Sequence, residues 1–401
     1  MAFLQLQSIL KQYSSYYYYY EQHYSTLYYL AIFGFITIFL VLNFTITKKG
    51  RKSNNLPPSP PKLPFIGNLH QLGTLPHRSF HELSKKHGPL MSLQLGQTPA
   101  IVVSSVDVAK EIIKNHDVVF SNRPQTTSER IIMYGCKDVA FAPYGDEWRQ
   151  KRKICVLELL SLKRVRSFQS IREEEVAELV SSYDEIDVFA GGGDTTSTLL
   201  EWTFAELIKN PKIMKKVQEE VRNVVGYKQK IDENDVNEME YMKCVIKEIL
   251  RLHPPAPLLI PRETLSDVKL KGYDIPSKTK VYLNAWTIQR DPEIWNNPEE
   301  FIPERFEKSQ IDFMGQHLEL IPFGFGRRGC AGISFAIAST EHILANLLCW
   351  FDWKLPNNNN NDDDVGVTKM QDIDMCEIYG LTVCKKVPLH LQPKLYNHMG
   401  K

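Results

Sequence analysis

The 401-residue chain reads as mainly α with a small β region, an α+β class, plus an N-terminal transmembrane helix. Three observations predict this. Leu27 to Phe44 is almost wholly apolar or aromatic and carries no charge; as a helix it would span about 27 Å, close to the hydrocarbon thickness of a bilayer. Beyond it, stretches with helical periodicity outnumber the short alternating ones. A further apolar run, Ile333 to Trp350, follows a turn rich in glycine. The bulk composition narrows the function. Lys+Arg 48 against Asp+Glu 47 leaves a net charge of +1, which gives no global argument for nucleic-acid binding. Seven cysteines, at 136, 155, 244, 330, 349, 376 and 384, are scattered without a C-x-x-C pair. They form neither a disulfide framework nor a zinc site, and suit a reducing compartment.

The elements follow in order. Lys48, Lys49, Arg51 and Lys52 come directly after the apolar run, whereas Lys11 and Glu21 are the charges before it. The positive-inside rule then places the following domain in the cytosol. A cleaved signal peptide is the rival, but the basic residues lie on its wrong side and no small-residue cleavage site follows. Residues 1–47 are therefore expected to hold an uncleaved anchor at about 27–44, with Tyr16–Tyr20, Tyr24, Tyr28 and Tyr29 near the membrane interface. Residues 48–65 form a basic, Pro-rich hinge: repeated prolines from Leu56 to Pro64 fix φ and exclude helix. Residues 66–401 make the main domain. Leu90 to Val103 alternates and predicts a hairpin turning at Gln97-Thr98-Pro99. Val106 to His116 reads as an amphipathic helix, and Ile154 to Tyr183 as charged helices. Leu199 to Asn210, Ile213 to Val225 behind Pro211, and Asp235 to Leu252 are further helices. Val268 to Lys280 reads as short strands, and Asn357–Asp364 as a disordered surface loop.

Four stretches carry chemistry. In Phe323-Gly324-Phe325-Gly326-Arg327-Arg328-Gly329-Cys330-Ala331-Gly332, a cysteine enters a helix N-terminus beside two arginines, which stabilises its thiolate. The glycines allow close backbone approach to something large and flat, and Arg328 could pair with an anionic group on it. The competing reading is a buried structural cysteine. Gly191-Gly192-Gly193-Asp194-Thr195-Thr196 lies in an expected long helix through Lys209, where each glycine costs about 1 kcal/mol against alanine. A phosphate loop is rejected, because no Gly-Lys-Ser/Thr follows and Asp194 would repel phosphate. Glu248 and Arg251 sit at i and i+3, by themselves an ordinary surface pair. Trp148 and Arg152 lie one helical turn apart and both carry N–H donors; alone, Trp148 reads as a core or rim aromatic.

The cysteine segment resembles the haem-ligand loop of the cytochrome P-450 family, F-x-x-G-x-R-x-C-x-G, at Phe323, Gly326, Arg328, Cys330 and Gly332. The Gly-Asp-Thr stretch resembles that family's oxygen-activation motif. Trp148–Arg152 is similar to its W-x-x-x-R helix, and Glu248–Arg251 and Pro303-Glu304-Arg305-Phe306 are similar to its E-x-x-R and P-E-R-F elements, all in family order. The phrasing is closest to plant A-type microsomal members. The resemblance implies the cytochrome P-450 fold and haem b with Cys330 as axial metal ligand. It implies cofactor contacts from Trp148, Arg152, Arg262, Phe323, Arg328 and Gly332. Asp194 and Thr195 take the catalytic proton-relay positions. Glu248, Arg251 and Arg305 take those of a buried ionic triad under the haem. Substrate contacts are implied at Arg130–Val139, Ile186–Thr195, Ala256–Ile260 and Glu377–Leu381. The implied activity is a monooxygenase that inserts one oxygen atom from O2 into a small apolar substrate, such as a plant terpenoid or phenolic. Electrons come from NADPH through a reductase at the endoplasmic reticulum membrane.

One departure from the family stands out. Only 42 positions separate Arg152 from Asp194, where the family holds several further helices. About a hundred residues, a small domain's worth, are missing near 183–186. Substrate enclosure suffers, and apolar faces are left uncovered. Two other readings follow: a truncated, inactive isoform that at most binds haem, and a haem-thiolate isomerase or dehydratase needing no reductase. The Asp194-Thr195 pair weighs against the latter.

Overall fold

The computed structural model describes residues 24–39, 55–133, 135–181, 193–356 and 373–396. They divide into two units at Asn55/Leu56. In the first, the described part of helix α1 (Tyr24–Phe39) is apolar, and its Leu27, Phe33 and Phe35 are exposed; residues 40–44 of the expected anchor lie outside the described residues. The basic run 48–52, the tyrosine run 16–20, the glycines 191–192, the join 183–186 and the loop 357–364 lie outside the described residues.

The second unit is helical with four small sheets. Strands β1 (Leu90–Leu95) and β2 (Thr98–Val103) pair as an antiparallel hairpin, Leu90 opposite Val103 and Leu95 opposite Thr98. β6 (Lys280–Leu283) joins β2 in parallel, and β3 (Arg262–Glu263) closes the order β1-β2-β6-β3. Both faces of β2 are buried. Ile101 and Val103 pack with helix α3 (Val106–Asn115), while Ala100 and Val102 pack with Phe80 of α2 (Pro76–His87). The two-residue alternation of a strand thus serves two small cores. The largest core lies between α8 (Asp194–Lys209), α9 (Pro211–Val225), α11 (Glu240–Leu252) and α13 (Ile333–Trp350). α13 is long and apolar enough to cross a membrane, but its Leu344, Leu347 and Leu348 are buried in this core.

Three elements differ from the sequence reading. The stretch Asp235–Leu252 is two helices, α10 (Glu233–Glu238) and α11, broken at Met239. A local capping box between Asp232 and Asp235 starts the first. The carboxylate of Glu220, on α9, accepts from Tyr241 N and Met242 N at 2.7 and 2.8 Å and starts the second. That cap comes from a distant segment, so no local pattern announces it. The expected long helix through the glycines begins only at Asp194, with Gly193 as its cap. The prolines are not a free spacer along their length: Ser92 N and Oγ donate to Pro58 O and Pro57 O, both at 2.8 Å.

The C-terminal hairpin β8 (Glu377–Tyr379) and β9 (Val383–Lys385) is tied to α2 through one carboxylate. Arg78 Nε lies 2.7 Å and His77 Nε2 3.1 Å from Glu377 Oε2. Burial alone would push this carboxyl up, but these partners hold it down at about 2. Its folded-state value is depressed, so its stabilisation is complete above the ordinary carboxyl range and is lost as pH falls toward 2. Glu377→Gln is expected to cost roughly 3 kcal/mol at pH 7. The gap from the parent should shrink between about pH 4.5 and 2, as read from urea midpoints across that range.

Candidate active site

Cys330 lies at the floor of an apolar cavity of about 420 Å³. Local backbone geometry puts it there. Gly324 and Gly326 adopt φ of +70° and +63°, conformations that side chains rarely tolerate. The chain then folds back so that Cys330 N donates to Phe323 O at 2.8 Å. α13 begins three residues later behind Gly332, whose N–H lies 3.3 Å from Cys330 Sγ. The thiol is exposed rather than buried, which removes the reading of a structural core cysteine.

Above this floor the wall is mainly aliphatic: Val139, Leu199, Leu259 and Ile260 line it with Thr195, Thr196 and Thr340. Set into it are four arginines, Arg123, Arg152, Arg262 and Arg328. Arg262 Nη2 donates to Phe325 O at 2.7 Å, and Arg328 donates to Ser121 O at 2.6 Å and Ala142 O at 2.7 Å. Each nonetheless keeps a buried Nη1 with no hydrogen-bond partner; that of Arg262 lies 3.9 Å from Asp117 Oδ1. Burial, and then the mutual repulsion of Arg123, Arg262 and Arg328, weakens the hold of Arg123 on its proton; burial brings Arg262 and Arg328 to about 10. Guanidinium stays charged at neutral pH, so the cost is held as positive potential in the cavity. Four arginines lining an apolar pocket, with the Nη1 of Arg328 left without a partner, fit a flat, largely apolar group with anionic arms. The open thiol fits a metal at its centre.

Trp148 stands differently from the sequence expectation. It is 3% exposed, and its Nε1–H donates to Val139 O at 2.9 Å. That donor is occupied by protein and does not face the cavity. The ring instead supports the arginines, with Arg328 Cζ 4.0 Å and Arg152 Cζ 5.7 Å from its centroid. Such cation–π contacts hold a guanidinium in place. Phe323 and Gly332 line the cavity with Cys330.

The structure separates Asp194 from Thr195. Thr195 lines the Cys330 cavity, whereas Asp194 lines a second one with Ser197, Glu201 and Leu381. As the first residue of α8, Asp194 projects from a helix end rather than from within a continuous helix. Of the expected substrate segments, Val139 and Ala256, Leu259 and Ile260 line the Cys330 cavity; Gly380 and Leu381 of the hairpin tip belong to the other.

Glu248, Arg251 and Arg305 come together below. Arg251 binds both oxygens of Glu248 at 2.7 and 2.8 Å, and Arg305 Nε adds 3.0 Å to Oε1. Glu248 and Arg251 are fully buried. Gln289 links this cluster to the cysteine loop: Arg251 Nη1 donates to its carbonyl, and its Oε1 accepts from Ile321 N at 2.9 Å. Sequence reasoning missed Gln289, Arg123 and Asp117. Arg123 stands before Pro124 and donates to Ala140 O and Pro261 O, both at 2.9 Å. An arginine preceding a proline carries no local sign of such a role. On the described surface, Ile131, Ile132, Leu157, Leu159, Phe168 and Phe335 are all exposed by 45% or more.

Comparison with known proteins bears on this geometry. The sequence model of the family described as Cytochrome P450 matches residues 57–186 and 183–371. Phenylacetaldehyde oxime monooxygenase CYP71AN24 of Prunus mume is 40% identical, over 90% of this chain and 94% of its own length. Cytochrome P450 71A1 of Persea americana is also 40% identical, over 82% of this chain and 91% of its own. 5-epiaristolochene 1,3-dihydroxylase of Nicotiana tabacum is 36% identical, over 92% and 99%. The first of these alignments runs over 500 positions against a chain of 401 residues, so that relative carries residues this chain lacks. A zebra fish cytochrome P450 structure with progesterone superposes with a TM-score of 0.66 at 21% identity, over 80% of this chain and all of the other. That likeness concerns the fold alone.

Proposed function

The chain belongs to the cytochrome P450 family of haem-thiolate monooxygenases, and from that premise we propose that Cys330 ligates its haem b and that the cavity above oxidises a small apolar molecule. One observation carries the reading: an open thiol at the floor of an aliphatic cavity lined by four arginines, of which Arg328 keeps an Nη1 without a partner. Haem, when bound, supplies O2 activation, with a thiolate ligand that favours O–O cleavage. The chain's own residues do the rest. Arg328, whose Nη1 has no hydrogen-bond partner, would hold the propionates together with Arg262, Arg123 and Arg152, which line the same cavity. Leu199, Leu259 and Ile260 hold an apolar substrate by burial and Thr195 keeps a hydroxyl in the cavity. The relatives named for phenylacetaldehyde oxime and 5-epiaristolochene are in keeping with a small plant metabolite, terpenoid or phenolic. A reductase delivering electrons from NADPH, and an anchor in the endoplasmic reticulum membrane through α1 and its neighbours, complete the proposal.

A second reading has its own support: a chain that binds haem but does not turn substrate over. The family match breaks into two segments that meet at 183–186, α8 starts only at Asp194, and Asp194 lines the other cavity. We take the interval as an internal deletion of the helices that roof the pocket. One experiment decides. The full chain is expressed in microsomes, its ferrous–CO spectrum recorded, and candidate substrates supplied with reductase, NADPH and O2. A red-shifted thiolate band with product requiring NADPH and O2 supports the monooxygenase. The same band without product supports the truncated reading. Product without NADPH or O2 identifies a haem-thiolate isomerase or dehydratase.

A further inference from the structure

We propose that Asp117 is a positioning residue for the haem site, its carboxylate fixing both the fork of Arg262 and the turn that carries Cys330. The proposal rests on the reading of the Cys330 cavity as a haem pocket. Asp117 stands just after α3 and outside every motif. Its Oδ2 accepts from Arg327 N at 3.4 Å and lies 3.3 Å from Arg327 Nε. Its Oδ1 lies 3.9 Å from Arg262 Nη1, and both atoms are buried without a hydrogen-bond partner. The carboxylate therefore faces two arginines, one on the cysteine loop and one on β3, from a third segment.

Gly326 shows how closely this carboxylate sits against the loop. A Cβ built on Gly326 would meet Asp117 Oδ1 at 2.6 Å, below any ordinary contact. Glycine at 326 answers the positive φ there, and any side chain at this position would displace the Asp117 carboxylate. The segment that begins at Asp117 grips the site at further points. Ser121 O accepts from Arg328, and Asn122 O accepts from Glu263 N. Arg123 Nη1 reaches Pro261 O. Asp117 is the member that brings negative charge. Arg123, Arg152, Arg262 and Arg328 crowd one cavity, and it is the acidic group on Arg262. Without it, Arg262 would be held by Phe325 O and ring contact alone and repelled by its cationic neighbours.

The sign of one measurement separates positioning from a field effect. By charge alone, removing an anion beside a dianionic propionate pair would tighten haem binding. By positioning, it would loosen binding, because Arg262 loses its orientation. The test is haem transfer from the full-length chain to excess apomyoglobin, followed in the Soret band, for Asp117→Asn, Asp117→Glu and the same changes with Arg262→Ala. The expected result is haem loss about tenfold faster in D117N, the scale seen when partners orienting a ligand set are removed. D117E should lie nearer the parent, and D117N should add less in the R262A background than alone, the remainder being its hold on the turn through Arg327. Haem loss in D117N unchanged or slower overturns the proposal. So do additive effects of D117N and R262A, which would mark two independent structural lesions. A parent chain that takes up no haem overturns the haem-pocket reading itself and this proposal with it.

Discussion

Cys330→Ala is expected to abolish the thiolate-type ferrous–CO spectrum completely while leaving the fold intact. The thiol is exposed at the cavity floor and packs against little, so its removal leaves no core void. Catalytic turnover should fall to background with the spectrum, because the other cysteines are poorly placed or protonated. Burial pushes Cys349 to about 12 and raises Cys136 and Cys244 above the ordinary thiol value, so these three stay protonated. Cys376 and Cys384 lie on the C-terminal side and line no part of this cavity. Cys155 is the one competitor worth a control: it stands close enough to Arg152 to act on it together with Cys330. Cys155→Ala should leave the CO band unchanged. A thiolate band that survives in C330A and disappears in the double variant would transfer the ligand to Cys155. Circular dichroism melts of the apo-proteins serve as the check that C330A still folds.

The cysteine turn was legible because its information is local. Glycines at positive φ, a helix start and apolar periodicity over Ile333–Trp350 all lie within one continuous stretch. The hairpin of β1 and β2 was legible for the same reason, although its turn falls at Gly96-Gln97 and the expected turn residues Thr98 and Pro99 belong to β2. What escaped was long-range. The start of α11 depends on Glu220, a carboxylate from another helix. Asp117 acts on residues some 145 and 210 positions away. Gln289 acts through its carbonyl and side chain on two other segments. None of these leaves a periodic or compositional trace. Trp148 illustrates a subtler miss. Its spacing from Arg152 suggested that both would face one ligand, but the indole donor found the nearer carbonyl of Val139 and left the ring face to the arginines. Buried donors are satisfied by whatever acceptor packing supplies, and sequence spacing does not rank those acceptors. The short interval before Asp194 was countable in the sequence. What it does to the relay pair was not: the helix end turns Thr195 and Asp194 into different cavities.

Glu248→Gln is expected to be the most destabilising change in the buried triad. Its carboxylate accepts from Arg251 twice, from Arg305 once and from Ile302 N at 2.9 Å. The amide that replaces it can accept at one position only and brings two donors toward two guanidinium groups. Arg251, at 0% exposure, would then be a buried cation whose remaining partners are the carbonyls of Gln289, Pro298 and Glu300. Breaking one side of such a buried pair costs about 3–5 kcal/mol, a large part of the roughly 5–15 kcal/mol by which a domain is stable. Arg305 offers the contrast. Its side chain is 11% exposed and also donates to Asn296 O and Asn297 O, so Arg305→Lys should cost much less. Arg251→Lys should fall between, keeping charge but losing the two-pronged contact. Urea denaturation of the full chain gives the ranking, E248Q worst, then R251K, then R305K. The damage should also reach the cysteine loop. Arg251, Gln289 and Ile321 form one hydrogen-bonded line, and Cys330 N closes on Phe323 two residues beyond Ile321. Folded E248Q should therefore lose haem faster than R305K even where both are native-like, since its lesion sits at the root of that line. Equal haem loss in the two variants would show that the triad steadies the helices without bracing the loop.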